Sequence, residues 1–260
     1  MTARSNEPEV ETVFKIIKDS FEHLITKPGI ILISVFLLLI LWGPKGEPIF
    51  KSWFNSWLEA DAPHEQLRLQ MLSYASGLLL LVVIPCLLIK FRFKESLKSY
   101  GLGLGDVRLG LTFVAVLIII SLPLFYFGSR NPQMWVEYPL IYRGMDVAQI
   151  RQQFQWHSFL LYELIYASFF FVIEFTFRGY MLFGLRERFG LYVILIQMLS
   201  YTAWHLPKPV PELLGTPVWG FAVAAVTLRA RSLWYVFIAH WLLNIFLDVM
   251  ILVNRGVITL

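Results

Sequence analysis

Seven apolar runs separated by short polar segments dominate the pattern of hydrophobic and polar positions along the chain. Most of them approach the length of about 20 residues that an α-helix needs to cross the ~30 Å hydrocarbon layer of a membrane. The pattern therefore predicts an all-α fold, a polytopic transmembrane bundle of about seven or eight helices. The predicted spans lie near residues 25–43, 72–91, 109–128, 158–184, 189–206, 213–228 and 232–253.

The first 28 residues follow a different pattern, in which apolar residues recur at helical spacing between charged ones. This pattern predicts an amphipathic helix over residues 1–28 that lies on the membrane surface and ends near Pro28. Packing of the same helix on a partner is the alternative. Residues 29–157 are expected to hold the N-terminal transmembrane helices and their loops, with a flexible connector at Gly101-Leu-Gly-Leu-Gly105.

Composition supports a membrane protein and narrows its chemistry. Hydrophobic residues make up 57% of the 260 residues and charged residues only 15%, which is not typical of a soluble domain. The net charge of +4 does not indicate a nucleic-acid partner, because Lys and Arg are scattered between the apolar runs. Cys86 is the only cysteine in the sequence, so neither an intrachain disulfide nor a thiolate metal cage can form.

The distribution of Lys and Arg predicts the orientation in the membrane. Assigning the loops alternately to two sides places thirteen of these residues on the side of the N-terminus and eight on the other. Because cytoplasmic loops carry the excess of positive charge, we expect a cytoplasmic N-terminus in a multi-pass protein of the bacterial cytoplasmic membrane.

Polar and ionisable residues inside the apolar runs are the candidate functional residues. A charged side chain at the bilayer centre costs roughly 2.5–3.5 kcal/mol on insertion scales, so each needs a physical reason. Glu174 and Arg178 are four residues apart and share a helix face, where a purely structural ion pair is the alternative to a catalytic role. The full set comprises Glu163, Glu174, Arg178, His205, His240, Asn244 and Asp248.

Spacing brings several of these residues to one level. A turn near residue 189 joins the fourth and fifth runs into a hairpin, with Glu174 15 residues before it and His205 16 residues after it. At 1.5 Å per residue, both lie about 23 Å from the turn. His240, Asn244 and Asp248 repeat every four residues, so they form one polar stripe on the last helix.

Two histidines from different helices, with a carboxylate at the depth of one of them, favour hydrolysis by activated water. In this chemistry Glu and His activate the water, and His and Asn stabilise the oxyanion. No cofactor is required for this chemistry. Zinc held by His205, His240 and Glu174 is the alternative, although the His-Glu-x-x-His signature is absent.

Three motifs in order resemble the CPBP family of intramembrane proteases, which includes type II CAAX prenyl endopeptidases and bacteriocin-processing (Abi) proteins. The Ile173–Gly179 segment, with Glu174 and Arg178, is similar to the family's Glu-Glu-x-x-x-Arg. Tyr201-Thr-Ala-Trp-His205 is similar to its Phe-x-x-x-His, and His240-Trp-Leu-Leu-Asn244 to its His-x-x-x-Asn. The resemblance implies a catalytic core over residues 158–253.

The resemblance implies an endopeptidase that hydrolyses a peptide bond of a membrane-associated protein or peptide, with the lipid bilayer as its other partner. It implies that Glu174, Arg178, His205, His240 and Asn244 are catalytic. Ile173 stands where the family has its first glutamate, so Glu174 or Glu163 is the expected base. The alternatives are a catalytically silent relative that binds a membrane partner and an ion-coupled transporter. Candidate accessory residues are Glu163, Lys208, Glu212 and Asp248.

Overall fold

The computed structural model describes residues 7–43 and 65–259. Within these ranges the regular structure is entirely helical, which confirms the predicted all-α fold. The α-helices are α1 (Glu7–Leu24), α2 (Lys27–Trp42), α3 (Glu65–Gly77, continued by π-helical turns and the short helix Ile84–Leu87), α4 (Val107–Gly128), α5 (Pro132–Glu137), α6 (Val147–Gln153), α7 (Trp156–Glu174), α8 (Leu182–Phe189), α9 (Val193–Trp204), α10 (Val210–Ala230) and α11 (Trp234–Asn254).

The number of candidate spans differs from the seven predicted. In the described ranges five helices are long and apolar enough to cross a membrane, or six if the bent pair α1 and α2 counts as one span. Part of the difference arises because Trp156–Trp204 is a nearly continuous helical run of 49 residues and counts once. This run folds back on itself, since Phe177 packs on Tyr201 with ring centroids 5.2 Å apart. The predicted hairpin is therefore present, and its second leg, α9, has only 12 residues.

One end of the bundle, called here the first end, is built around Lys27 and the loop after α3. Lys27 Nζ donates to Glu95 at 2.7 Å, and the Tyr100 hydroxyl donates to the same carboxylate at 2.6 Å. The backbone N–H of Leu233 donates to the Gly101 carbonyl at 3.0 Å. These contacts tie the start of α2 and the start of α11 to one loop.

The opposite end is held by contacts among the segments between α4 and α7 and the end of α11. Asn254 Nδ2 donates to Ser129 Oγ at 2.7 Å, and Arg255 donates to the Met145 carbonyl at 3.2 Å. Successive long helices thus run between two ends, as expected of a bundle that crosses a membrane several times.

The junction between α1 and α2 corrects the predicted end of the N-terminal helix. Pro28 lies in the first turn of α2 and does not end α1, which stops at Leu24. Proline suits the first turn because the backbone N–H groups there have no intrahelical acceptor. The two helices meet at 78°, and α1 exposes Phe14 and Phe21. This geometry suits a helix lying along a membrane surface, which stays a prediction.

Gly101 and Gly105 serve close packing, contrary to the expected flexible connector. Gly105 adopts a positive φ of 55°, and a Cβ there would come within 1.9 Å of the Ala230 carbonyl oxygen. The Leu104 carbonyl accepts a hydrogen bond from the Tyr235 hydroxyl at 2.7 Å. A larger residue cannot fit at Gly105, so this loop packs tightly against the end of α10, and the Tyr235 bond ties it to α11.

Candidate active site

A cavity of about 40 Å³ lies between α7, α9, α10 and α11. Because one water needs roughly 10–15 Å³ of such space, the cavity is large enough for a few water molecules. Its walls combine polar and charged groups of residues 205–212 and 240–244 with apolar and aromatic side chains. The lining residues are Tyr138, Tyr166, Phe169, Phe170, Ile173, Tyr201, Trp204, His205, Lys208, Glu212, His240 and Asn244.

His240 on α11 connects the cavity to the buried carboxylate of Glu174. Its Nδ1 lies 2.7 Å from Glu174 Oε1. A carboxylate only accepts hydrogen bonds, so Nδ1 carries the proton when Glu174 is ionised, and Nε2 is left free of this contact. This hydrogen bond fixes the imidazole at the cavity wall, as an orienting carboxylate does in many histidine sites.

Arg178 balances the charge of Glu174. Arg178 Nε lies 3.4 Å from Glu174 Oε2, and both side chains are fully buried. The guanidinium also stacks over the Tyr201 ring, with Cζ 3.9 Å from the centroid. The predicted i, i+4 pair is thus present, and its position behind the cavity wall suits a group that supports the site.

His205 caps the C-terminal end of α9 and faces the cavity. Its Nδ1 lies 2.8 Å from the Tyr201 carbonyl, which can only accept, so Nδ1 is the protonated nitrogen. Its Nε2 lies 3.7 Å from Glu212 Oε1. The ring is also held between aromatic neighbours, with centroids 4.3 Å from Tyr201 and 5.1 Å from Trp204.

The cavity wall on α7 carries Ile173, whereas Glu174 is not among the lining residues. Adjacent residues of a helix point about 100° apart, so only one of the two can face the cavity. Directly after Glu174 the helix changes into a π-helical turn, Phe175–Met181, which contains Arg178. Glu174 as the base stays a prediction, and the geometry gives its carboxylate no direct access to the cavity.

Glu163 and Asp248 form a second buried acidic pair, away from the cavity wall. Their carboxyl groups face each other, and Asn244 lies beside Asp248. Both residues are buried. Two carboxyl groups can bond only when one of them is protonated. Glu163 is therefore placed to pair with Asp248 and does not line the cavity.

The segment after His205 brings a charged network into the cavity. Lys208 Nζ donates to Glu137 at 3.2 Å and to the Tyr138 hydroxyl at 3.0 Å. The Tyr138 hydroxyl in turn donates to Glu212 Oε2 at 2.9 Å. Burial, and then the charge of Glu212, raise the pKa of Tyr138 well above its usual value, so the hydroxyl keeps its proton.

Three members of this network were missed by the sequence reasoning. Glu137, Tyr138 and Arg143, which forms an ion pair with Glu137, lie at the opposite end of the bundle, more than 60 residues before Lys208. They follow no helical period that marks a buried face. The only signal was charge in a loop on the same predicted side of the membrane as residues 205–212, which contain three prolines. Charge in a loop alone predicts a solvated surface.

The three residues proposed to hold zinc are not grouped as metal ligands in the described part of the chain. The residues described here contain no group of three or more His, Cys, Asp or Glu side chains placed to hold a metal ion. Glu174 faces the protonated nitrogen of His240 and the guanidinium of Arg178, so it is not directed at both histidines. Zinc held by His205, His240 and Glu174 stays an untested alternative.

Comparison with known families accounts for this arrangement of residues. Residues 153–246 match the family model of the type II CAAX prenyl endopeptidase Rce1-like proteins. These 94 of the 260 residues are similar to an Rce1-like domain. The matched segment spans α7 to Asn244 and so includes most of the cavity, which confirms the resemblance predicted from the three motifs. No curated protein and no solved structure matches the chain.

One part of the site lies outside the residues that match the family model. Glu137, Tyr138 and Arg143 precede the matched residues, so the network that reaches Glu212 combines the domain with a preceding segment. Within the matched segment, Ile173 stands where the Glu-Glu-x-x-x-Arg motif has its first glutamate. It places an alkyl group on the cavity wall.

Proposed function

We propose that the Rce1-like domain is an intramembrane endopeptidase that hydrolyses a peptide bond of a membrane-associated protein or peptide. The observation that carries this proposal is a small polar cavity inside an apolar bundle, with His205, His240 and Asn244 on its wall. These groups come from two helices that are distant in sequence. Polar groups scattered singly through an apolar bundle would each be costly to bury. Their grouping around one cavity therefore supports a shared chemical role.

The histidines supply the groups that hydrolysis requires. With Nδ1 of each ring held by an acceptor, Nε2 is the nitrogen left to contact water or the substrate. Asn244 lines the cavity, and its amide NH₂ is a donor that can bond to a developing oxyanion. We propose that attack of water on the carbonyl carbon forms a tetrahedral oxyanion at this position, and that the C–N bond then breaks.

The test is cleavage by the purified full-length protein in lipid vesicles. Peptides anchored to the membrane, with and without a prenylated cysteine, are incubated with the protein, and the products are identified by mass spectrometry. We expect cleavage of at least one peptide and loss of cleavage in His205→Ala and His240→Ala. His157→Ala is the matched control, because His157 is exposed on α7 away from the cavity. Absence of cleavage by the wild type across the panel would contradict the proposal.

Ile173 favours a second candidate function. A cavity wall that carries Ile173 where the resembling motif has a glutamate suits a silent relative that binds the same membrane segments without cleaving them. Crosslinking of the anchored peptides to the wild type, combined with no cleavage of any of them, is the outcome that supports this binding protein.

A further inference from the structure

The cavity has one carboxylate on its wall, and it lies outside the three motifs. Among the described residues that line the cavity, Glu212 is the only acidic one. It is in the first turn of α10, seven residues after His205. The short turn between α9 and α10 folds Glu212 back over the imidazole, so the two side chains meet from neighbouring helices.

The position of Glu212 leaves one oxygen available at the cavity. Its Oε2 accepts the hydrogen bond from Tyr138, whereas Oε1 lies 3.7 Å from His205 Nε2. This distance is too long for a direct hydrogen bond, but one water can bond to both atoms across it. The side chain of Glu212 is 22% exposed and that of His205 is 7% exposed. Water can therefore reach the carboxylate while the imidazole stays buried.

Glu174 and Glu163 do not share this access. Both oxygens of Glu174 face His240 or Arg178, and the side chain is fully buried. Glu163 faces Asp248. A general base must lie within hydrogen-bond reach of the proton that it removes, directly or through one water.

We propose that Glu212 is the general base of this site and supplies the carboxylate that Ile173 does not provide. The inference rests on the proposed hydrolytic function. Glu212 Oε1 removes a proton from a water that is also bonded to His205 Nε2, and the resulting hydroxide attacks the peptide carbonyl carbon. The C–N bond then breaks, and Glu212 returns the proton to the leaving amine. Peptide and water thus give one carboxylic acid and one amine, with the base regenerated.

Tyr138 and Lys208 act as positioning residues in this scheme. Lys208 donates to the Tyr138 oxygen and so directs the Tyr138 proton to Glu212 Oε2. This arrangement fixes the carboxylate plane and leaves Oε1 as the more basic oxygen. Tyr138→Phe should therefore reduce kcat less than Glu212→Gln does, and should leave KM nearly unchanged.

The test compares carboxylate variants in the vesicle cleavage assay. Glu212→Gln keeps an oxygen that accepts from Tyr138 but cannot take a proton, so we expect turnover to fall by roughly 10²–10⁴. Glu187→Gln is the matched control, because Glu187 is exposed on α8 at the first end of the bundle. Adding Ile173→Glu to Glu212→Gln should restore part of the activity, since it returns a carboxylate to the same cavity.

The outcomes separate this inference from the proposed function. Cleavage by the wild type with unchanged turnover in folded Glu212→Gln would overturn the role of Glu212 and leave the endopeptidase proposal intact. If Glu212→Gln does not fold, Glu212→Ala is assayed with added formate, and recovery of cleavage supports a base at this position. A folded Glu212→Ala that formate does not reactivate would overturn it. No cleavage by the wild type on any peptide would overturn both proposals.

Discussion

Arg178 offers a direct measure of how far the site depends on its buried ion pair. Arg178→Ala removes the partner of a fully buried carboxylate and the cation that stacks on Tyr201. Breaking a buried pair from one side typically costs about 3–5 kcal/mol, because the remaining charge has lost its partner. The hydrogen bond from His240 to Glu174 offsets part of this loss. We therefore expect a destabilisation near the lower end, about 3 kcal/mol.

The assay is reversible unfolding of the purified protein in mixed micelles of detergent and denaturant, followed by tryptophan fluorescence. Arg188→Ala, an exposed arginine of α8, is the matched control and should change stability by less than about 0.5 kcal/mol. In a Glu174→Gln background the same Arg178→Ala change should cost less, because no buried charge is stranded. Wild-type stability in Arg178→Ala, together with lost cleavage, would refute this reasoning and assign Arg178 to the chemistry.

Three further predictions concern metal, pH and the second acidic pair. Exhaustive chelation should leave cleavage unchanged, whereas loss of activity and recovery with added zinc would show a metal mechanism. Partial burial raises the pKa of Glu95, but hydrogen bonds from Lys27 and Tyr100 outweigh it and lower the net pKa. The resulting stabilisation of the folded state is about 0.2–1 kcal/mol, since the pair is partly exposed. It is present above the unfolded pKa and is lost as pH falls through the folded pKa. The unfolding curves of Glu95→Gln and the wild type should therefore converge in acid. Asp248→Asn should keep the contact with Glu163 and unfold near the wild-type midpoint. Asp248→Ala should lower the free energy of unfolding by about 1–3 kcal/mol. Equal losses of stability in both variants would count against a proton shared by the two carboxyl groups.

The parts of the fold that follow from periodicity and length were predictable from the sequence. Apolar runs indicated the helices, and the charged turn near residue 189 indicated the hairpin. The depth argument put Glu174 and His205 at one level, where Arg178 and Tyr201 now link them. These predictions need only the helical rise and the cost of buried charge, which are local properties of the chain.

The facing of individual residues was not predictable in the same way. Ile173 and Glu174 are adjacent residues at the end of α7, and which of them meets the cavity depends on how α7 packs against α9 and α11, which the helical period does not give. The contact of Tyr138 with Glu212 joins residues 74 apart, and no pattern in either segment records it. Proline is common both just after a helix and in the first turn of the next one, so the sequence alone does not distinguish the two positions for Pro28.

The π-helical turn Phe175–Met181 also bears on how this chain is aligned with its relatives. Such a turn accommodates one residue more than an α-helical turn of the same rise, so it can absorb an insertion without moving the rest of the helix. Two chains can then share a motif letter for letter and still present neighbouring positions to the cavity. In this segment, residues of two related chains are structurally equivalent when their side chains point in the same direction. A sequence alignment does not record that direction. Counting how many relatives with a single glutamate here also carry an acidic residue seven positions after the histidine would therefore reveal whether the carboxylate has moved from one helix to the next.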